Sequence, residues 1–248
     1  MSKIKQILFT AWKKTENARI VMRKELRSYF ISPIAYIVIT LFLAISGILF
    51  FSSFFINNQA EMRGFFQILP ILFSIFIPAL TMRLFAEERN TGSFETLVTM
   101  PLSIGDIVAG KILGATVFIT LMLAPTLIYA ISIIFTGSMD AGPVIGGYLG
   151  SILLGATFSA IGVFTSSLTR NQVVSFIAAL SICLGLTLID KFLMFFPSRV
   201  VNAIEYIGAD FHFRSVAKGV IDSRDIIYFA SVIALAVLGT VRAIEVRR

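Results

Sequence analysis

Three groups of residues in this sequence of 248 amino acids have types and spacings that could carry chemistry. The first is Gly105, Gly110 and Lys111, which form the G-x-x-x-x-G-K pattern of a phosphate-binding loop. In such a loop a Ser or Thr that binds Mg²⁺ follows the lysine, and a strand precedes the first glycine. Here Ile112 follows, and the preceding residues do not have the pattern of a strand. We therefore reject a nucleotide site in this chain.

The second group surrounds the single histidine, His212. Asp210, Asp222 and Asp225 lie close to it in the sequence, and these residue types can bind a metal ion. One histidine among carboxylates at irregular spacing is a weak ligand set. We therefore expect capping and ion pairing within a structured segment here, no metal site, and no catalytic residue elsewhere in the chain.

The third group is a charged segment, residues 83–105, between two apolar runs. Gly92 should break the helix that precedes it, and Ser93 can cap a new helix. Glu95 then lies in the first turn, where the helix dipole favours an anion, and Pro101 should end the helix. The segment therefore predicts a helix of about two turns between two longer helices.

This short helix combines charged and apolar side chains. Glu87, Glu88 and Arg89 precede it, and Phe94 and Leu97 lie on it. Such a surface suits the docking of a partner protein. The alternative is a charged loop that only crosses the membrane interface, and composition alone leaves both interpretations open.

The composition indicates the class of protein that positions these three groups of residues. The sequence is 57% apolar and 14% charged, with a mean hydropathy of +0.90. A soluble domain is about a quarter charged and less apolar, so these values exclude a soluble globular domain and a disordered chain. The net charge of +7 is not accompanied by a basic soluble face, which argues against a nucleic-acid partner.

Six apolar runs predict a membrane protein built of helices. A bilayer core of about 30 Å needs about 20 helical residues, and these runs do not alternate as the strands of a barrel do. We therefore predict an all-α membrane protein with six transmembrane helices. The predicted spans cover about residues 34–56, 64–82, 107–136, 143–168, 171–190 and 226–244.

The positions of the basic residues predict the orientation. Most of the 21 Lys and Arg residues precede the first span or lie in the segments that share its side, so both termini are expected in the cytoplasm. Residues 1–33 form a cytoplasmic amphipathic segment, in which Arg19, Arg23 and Arg27 mark the polar face of an interfacial helix. Ser32, followed by Pro33, predicts the start of the helix that enters the membrane.

Two further patterns concern packing and the outer face. Small residues recur at every fourth position of the fourth run, from Gly147 to Ser159, and we favour close packing within one subunit over a dimer interface. The outer loop, residues 190–225, has apolar residues at helical spacing, which predicts a short helix on the outer leaflet. These apolar residues are Val200, Val201, Ile204 and Ile207.

The segment from Glu87 to Ser103, E-E-R-N-T-G-S-F-E-T-L-V-T-M-P-L-S, closely resembles the signature E-E-R-x-x-G-[ST]-x-E-x-L-x-[TS]-x-P-[LI]-[ST] of ABC-2 type permeases. The resemblance extends over nearly the whole chain, including Arg170-Asn171-Gln172 between the fourth and fifth spans. In that family the signature forms an elbow and a coupling helix that dock on a separate ATP-binding subunit. The ATPase-coupling interface that the resemblance implies consists of Glu87, Glu88, Arg89, Thr91, Gly92, Ser93, Phe94, Glu95, Leu97 and Pro101.

A second stretch, H-F-R-S-V-A-K-G-V-I-D-S-R-D from His212 to Asp225, resembles the H-F-x-S-x-[SA]-[RK]-G-V-I-D-x-R-D pattern of the gliding-motility branch of these permeases. This is a resemblance to a subfamily and not to a fold. The residues that carry it are His212, Phe213, Lys218, Gly219, Asp222, Arg224 and Asp225.

The resemblance implies a type V exporter-like fold, in which residues 34–248 form the six-helix domain of a non-catalytic membrane subunit. Two copies of a partner ATPase would bind ATP and Mg²⁺, so no cofactor is expected in this chain. A second permease chain, either identical or different with a large outer domain, would complete the complex in a bacterial cytoplasmic membrane. The expected function is ATP-driven export or conformational work on the outer face. The alternative is a membrane anchor or scaffold that transmits ATPase motion to a partner protein without moving a solute.

Overall fold

The fold was analysed in a computed structural model, in which all the described secondary structure is helical. The described ranges are residues 3–57, 62–99, 102–134, 140–192, 205–220 and 222–246, with side chains at 16–52, 62–95, 99 and throughout the later ranges. The helices are α1 (Lys3–Ile31), α2 (Pro33–Asn57), α3 (Arg63–Thr81), α4 (Arg83–Asn90), α5 (Ser93–Thr99), α6 (Ile104–Leu123), α7 (Leu127–Ile134), α8 (Ala141–Leu168), α9 (Gln172–Phe192), α10 (Ala209–Ala217) and α11 (Ser223–Glu245).

Six stretches of helix are long and apolar enough to cross a membrane, so the prediction of an all-α protein with six spans is confirmed. Span 1 is formed by α2, span 2 by α3 with α4, and span 3 by α6 with α7. Spans 4, 5 and 6 are α8, α9 and α11. Pro125 lies in a 3₁₀ turn, Ala124–Thr126, that separates α6 from α7, because proline lacks the amide hydrogen that an α-helix needs.

Span 4 lies at the centre of the bundle. Its small residues allow neighbours to approach closely: Gly147 faces the ring of Phe66, and Gly162 faces the side chain of Thr81. Close packing within one subunit is therefore observed at Gly147, a member of the predicted row, and the structure adds a second close approach at Gly162. Larger residues there would separate span 4 from span 2.

We expect Gly162→Ala to destabilise the protein by about 1–3 kcal/mol, because the added methyl group would overlap the Thr81 side chain in a packed core. Thermal unfolding in mild detergent would measure the effect. Gly185→Ala is the matched control, since a methyl group at that glycine of span 5 meets nothing within 4 Å. Equal melting temperatures for the two variants would contradict the close contact.

The N-terminal helix α1 packs parallel to the beginning of span 3. Val21 lies against Gly110, and four residues later Glu25 lies against Gly114. Further along, the rings of Tyr29 and Phe118 are 5.0 Å apart. The helix ends at Ile31, and α2 begins at Pro33, as the Ser32-Pro33 pair predicts. The buried face of α1 therefore covers span 3 and is not directed only at lipid.

The segment between spans 5 and 6, which the sequence predicts to be the outer loop, contains one described helix, α10. It packs against span 4, where Gly150 faces Phe213 and Val216. Ile207 lies in the turn that precedes α10. Val200, Val201 and Ile204, on which the predicted outer-leaflet helix also depends, are outside the described residues.

Candidate functional site

The junction between α4 and α5 is a bend at Gly92. Gly92 has a φ of 76°, a left-handed conformation that glycine adopts without the steric penalty of other residues. Thr91 closes the end of α4, because both its amide and its hydroxyl donate to the carbonyl oxygen of Glu87, at 2.9 and 3.0 Å. The predicted helix break at Gly92 is thus confirmed. Ser93 is the first residue of α5, so Gly92 occupies the position of the cap, and the Ser93 hydroxyl donates to the Glu88 carbonyl oxygen at 3.4 Å.

Phe94 lies between α5 and α4 and so helps to fix the angle of this bend. Its ring centre is 6.2 Å from that of Phe85 on α4, in an edge-to-face arrangement. The guanidinium carbon of Arg89 lies 5.0 Å from the centre of the Phe94 ring, within the range of a cation–π contact. Phe94 and Arg89 therefore join α5 to α4, so that a displacement of α5 must also move α4.

Ser166, near the end of span 4, holds the beginning of α4. Its buried hydroxyl donates to the Met82 carbonyl oxygen at 2.8 Å and accepts from the amides of Phe85 and Ala86, both at 3.0 Å. The first amides of a helix have no partner within the helix, so this hydroxyl takes the place of a cap. The joint between α3 and α4 is therefore attached to the central helix of the bundle.

Lys111, in the first half of α6, lies at the centre of a buried ionic cluster beside α4. Its side chain has no exposed area, and its ammonium group donates to Glu25 Oε1 at 2.9 Å, Glu88 Oε1 at 2.8 Å and the Leu84 carbonyl oxygen at 2.8 Å. An ammonium group has three hydrogens, so these acceptors saturate it. The three residues Glu25, Glu88 and Lys111, here called the lysine cluster, connect α1, α4 and span 3.

The lysine cluster holds two carboxylates and one buried cation. The exposed Lys24 lies 3.3 Å from Glu88 Oε1 and supplies a second positive charge at its rim. A buried ion pair is stabilised only when its geometry and additional hydrogen bonds offset the loss of hydration. Removing Lys111 would leave two carboxylates without their buried cation, and each glutamate joins its own helix to span 3 through Lys111. The cluster therefore makes the positions of the three helices depend on one another.

The structure brings together part of the sequence-predicted coupling set. Glu88, Arg89, Thr91, Gly92, Ser93 and Phe94 all contribute to the α4–α5 junction. Glu87 and Glu95 are exposed beside it. The side chain of Leu97 and the whole of Pro101 lie outside the described residues.

Sequence reasoning missed Lys111, Glu25 and Ser166 as parts of this site. A signal for Lys111 was present, because an isolated lysine at the start of an apolar span needs a buried partner if it faces the protein. The two glutamates do not differ from neighbouring charged residues in pattern. Ser166 lies among several serines and threonines of span 4, and nothing in its spacing marks it.

The outer motif forms a second cluster, in which His212 is the centre. Its Nδ1 atom lies 2.7 Å from Asp225 Oδ1, its Nε2 atom lies 3.1 Å from the Tyr206 carbonyl oxygen, and its ring stacks on Tyr228 at 4.1 Å. His212 and Asp225 are both buried. Phe213 packs on span 4, so the motif fastens α10 to spans 4 and 6.

The rest of the outer motif shapes the turn between α10 and span 6. Asp222 caps α11 by accepting from the Arg224 amide at 3.0 Å, and this backbone hydrogen bond is the main cause that lowers the pKa of the exposed carboxyl group. Gly219 has a φ of 84° and packs against Gly142 at the start of span 4. Lys218 is exposed. The expected capping is therefore confirmed at Asp222, and the expected pairing is observed as the contact between His212 and Asp225.

An ion pair also joins α10 to span 5. Arg214 bonds to Asp210 one turn before it and lies 3.0 Å from Asp190 Oδ2 at the end of α9. Burial raises the pKa of Asp210, and the neighbouring Arg214 opposes that shift. Helix α10 is thus joined to span 5 by an ion pair and to span 6 by the hydrogen bond between His212 and Asp225.

The fold and these two clusters define a class of protein: a multi-pass, all-α membrane protein with six spans, in which two short helices, α4 and α5, connect span 2 to span 3. The chain belongs to the ABC-2 transporter family, because the family described as "ABC-2 family transporter protein" matches residues 19–213. That match includes the α4–α5 junction and the lysine cluster, ends within α10, and does not single out the gliding-motility branch. A search of curated proteins gives no significant match. The protein is therefore the permease component of an ABC transporter, a component that is normally non-catalytic, and the family implies partnership with an ABC ATPase.

Proposed function

We propose that this chain couples ATP hydrolysis by a separate ATPase subunit to movement of its spans, and that α5 with the exposed end of α4 is the docking surface. The observation that carries the proposal is the lysine cluster. A force applied to α5 passes to α4 through Phe94 and Arg89, and from α4 to α1 and span 3 through Glu88, Lys111 and Glu25. The docking surface is therefore connected to three separate elements of the membrane domain.

The energy for this movement comes from outside the chain. Shifting a two-state equilibrium from about 1:99 to 99:1 takes about 5.5 kcal/mol of differential binding. The nucleotide cycle of the ATPase supplies it, and two ATPase copies acting on two permease chains would close and open together. ATP and Mg²⁺ are then ligands of the partner and not of this chain.

We infer that the docking surface is cytoplasmic, because the excess of basic residues lies on its side of the membrane. Both termini share that side if all six helices cross the bilayer. An ATPase that uses cellular ATP must also lie there. A bacterial cytoplasmic membrane fits this arrangement.

The outer motif supports assignment to the gliding-motility branch, although it lies mostly beyond the region matched to the family. Its buried residues fix α10 at the outer end of the bundle, where α10 can transmit movement to a second permease chain with an outer domain. Export of a substrate is the first candidate function. The second is conformational work on an outer protein without transport, which the same rigid attachment of α10 would serve.

Affinity purification of the full chain from its native membrane, with identification of the co-purifying proteins, tests the proposal. We expect an ATPase with a phosphate-binding loop, and a second, different permease if the complex is of the motility type. Recovery of the chain alone in several detergents would contradict the docking surface. Substrate-stimulated ATP hydrolysis in liposomes would favour export, whereas hydrolysis that is insensitive to solutes, with a protein bound at residues 190–225, would favour the scaffold.

Charge reversal of the exposed carboxylates provides a sharper test. The double variant Glu87→Lys and Glu95→Lys should lower the affinity for the ATPase about tenfold or more, because reversing two exposed charges on the docking surface destroys its electrostatic complementarity to the partner. Glu88 is left unchanged, since it belongs to the lysine cluster. Glu245→Lys, an exposed glutamate at the end of span 6, is the control. Equal ATPase recovery with wild type and the double variant would move the docking surface elsewhere.

A further inference from the structure

A cleft of about 550 Å³ lies between the end of α1 and the length of α4. The cleft lies where α1 ends and span 1 begins, and where α3 ends and α4 begins. Ser32 and Arg83, from these two junctions, line it. Span 1 begins at Pro33, beside the cleft, and the charge-free part of span 2 ends at Met82, directly before Arg83. Since charged side chains begin at this point, the cleft lies close to the level of the lipid headgroups. This placement holds for either orientation of the chain.

Cations line the end of the cleft nearest the spans. Arg83 Nη1 donates to Ser32 Oγ at 3.1 Å, and its guanidinium carbon lies 5.4 Å from the centre of the Tyr29 ring. Among the described residues, no carboxylate lies within ion-pair distance of Arg83. Arg27 also lines the cleft and is exposed. A half-buried guanidinium without a carboxylate partner is the group that best recognises a phosphate.

Two residues that line the cleft each have a buried polar atom without a hydrogen-bond partner in the described part of the chain. One of these atoms can donate a hydrogen bond, and the other can only accept one. One is Tyr29 Oη, and the other is Glu88 Oε2. Burial raises the pKa of Tyr29, so its hydroxyl keeps its proton and can donate a hydrogen bond. Glu88 Oε2 can only accept one. A ligand that satisfies both must offer an acceptor and a donor together.

An ethanolamine phospholipid offers this combination, because its phosphate and its ammonium group are joined by a short ethylene link. Arg83 and Glu87 are one helical turn apart on α4, which places their Cβ atoms about 5–6 Å from each other on one face. A choline headgroup has no N–H donor, and a glycerol headgroup has no positive charge. Ile31 and Ile34 beside Ser32 are exposed and can contact acyl chains.

We propose that this cleft binds the headgroup of an ethanolamine phospholipid, with the phosphate at Arg83 and Tyr29 and the ammonium group at Glu87 and Glu88. The bound lipid would lie between α1 and α4, beside the lysine cluster. It would therefore stabilise one arrangement of these two helices. The proposal does not depend on the ATPase, because every group involved belongs to this chain or to the bilayer.

Native mass spectrometry of the purified full chain tests the proposal. The chain is exchanged into detergent with equal amounts of phosphatidylethanolamine, phosphatidylcholine and phosphatidylglycerol of identical acyl chains. We expect one retained phosphatidylethanolamine, favoured over phosphatidylcholine about tenfold, which corresponds to about 1.4 kcal/mol. Soluble glycerophosphoethanolamine should not displace it, since a membrane lipid and not a free phosphate compound is the ligand.

Two variants and a control locate the bound lipid. Arg83→Gln should abolish the retained lipid, and Glu87→Gln should leave lipid bound but remove the preference for ethanolamine over choline. Arg170→Gln, an exposed arginine between spans 4 and 5, should behave as wild type. The Glu87 variant keeps the test decisive if Arg83→Gln alters the fold, because Glu87 is exposed.

Several results would overturn the proposal. They are the absence of a retained lipid, equal retention of all three lipids, a preference for phosphatidylglycerol, displacement by glycerophosphoethanolamine, and a preference unchanged in Glu87→Gln. Since the ATPase is not present in this experiment, its outcome is separate from that of the co-purification described above.

Discussion

Lys111→Met should lower the free energy of unfolding by about 3–5 kcal/mol, because it leaves the carboxylates of Glu25 and Glu88 buried together without their cation. Methionine fills a similar volume, so the loss of stability measures the effect of the missing charge and not that of a cavity. The measurement is unfolding of the purified chain in detergent. If coupling follows the path proposed above, ATP hydrolysis by the assembled complex should also lose its dependence on the permease.

Lys24→Met is the matched control for this prediction. Lys24 contacts the same Glu88 oxygen at 3.3 Å, but 57% of its side chain is exposed. An exposed ion pair contributes about 0–1 kcal/mol, so this variant should be close to wild type. Equal effects of the two substitutions would contradict the assignment of Lys111 as the buried centre.

The triple variant Lys111→Met, Glu25→Gln and Glu88→Gln separates stability from coupling. Because it removes all three charges, much of the lost stability should return. If the cluster transmits force, coupling should remain impaired in the stable triple variant. Restored coupling together with restored stability would give the cluster a purely structural role.

The elements that the sequence predicts well depend on local patterns. The six spans follow from long charge-free runs, and the bend follows from Gly92, which adopts a positive φ easily and lies between two stretches of helix formers. The start of α2 at Pro33 is equally local. In each case the neighbouring residues contain the physical cause, so no knowledge of distant contacts is needed.

The lysine cluster could not be predicted in this way, because its partners are distant in sequence. Lys111 is 86 residues from Glu25 and 23 from Glu88. Its surrounding pattern even imitates a phosphate-binding loop. Gly110 is present for another reason, since α1 passes so close that a methyl group there would lie 2.6 Å from Val21 Cβ.

Phe94 shows that the sequence predicts the position of a side chain on a helix better than the direction in which it points. Its type and position predict an apolar group offered to a partner, and that docking role stays a prediction. The structure adds that the ring packs on Phe85 and under Arg89. Helical spacing places Phe94 on α5 but does not say how α5 turns against α4, and that angle decides which side of the ring remains accessible.

The second large effect is expected at the outer cluster. His212→Phe should destabilise the protein by about 3–5 kcal/mol, because the Asp225 carboxylate, which is 4% exposed, would stay buried without its partner. The two ring nitrogens of His212 lie within hydrogen-bond distance of Asp225 Oδ1 and of the Tyr206 carbonyl oxygen, so the substitution removes both contacts. Phenylalanine retains the stacking on Tyr228 and removes both bonds.

Hydrogen exchange would locate this effect, since α10 should lose protection relative to spans 2 and 4 if the pair fastens it. The double variant His212→Phe and Asp225→Leu should recover stability, because no buried charge remains. Lys218→Gln, at the exposed end of α10, is the control. Uniform loss of protection across the bundle would mean that the pair supports the whole fold. Loss confined to α10 would mean that the outer helix can move independently of the spans, as conformational work on an outer protein would require.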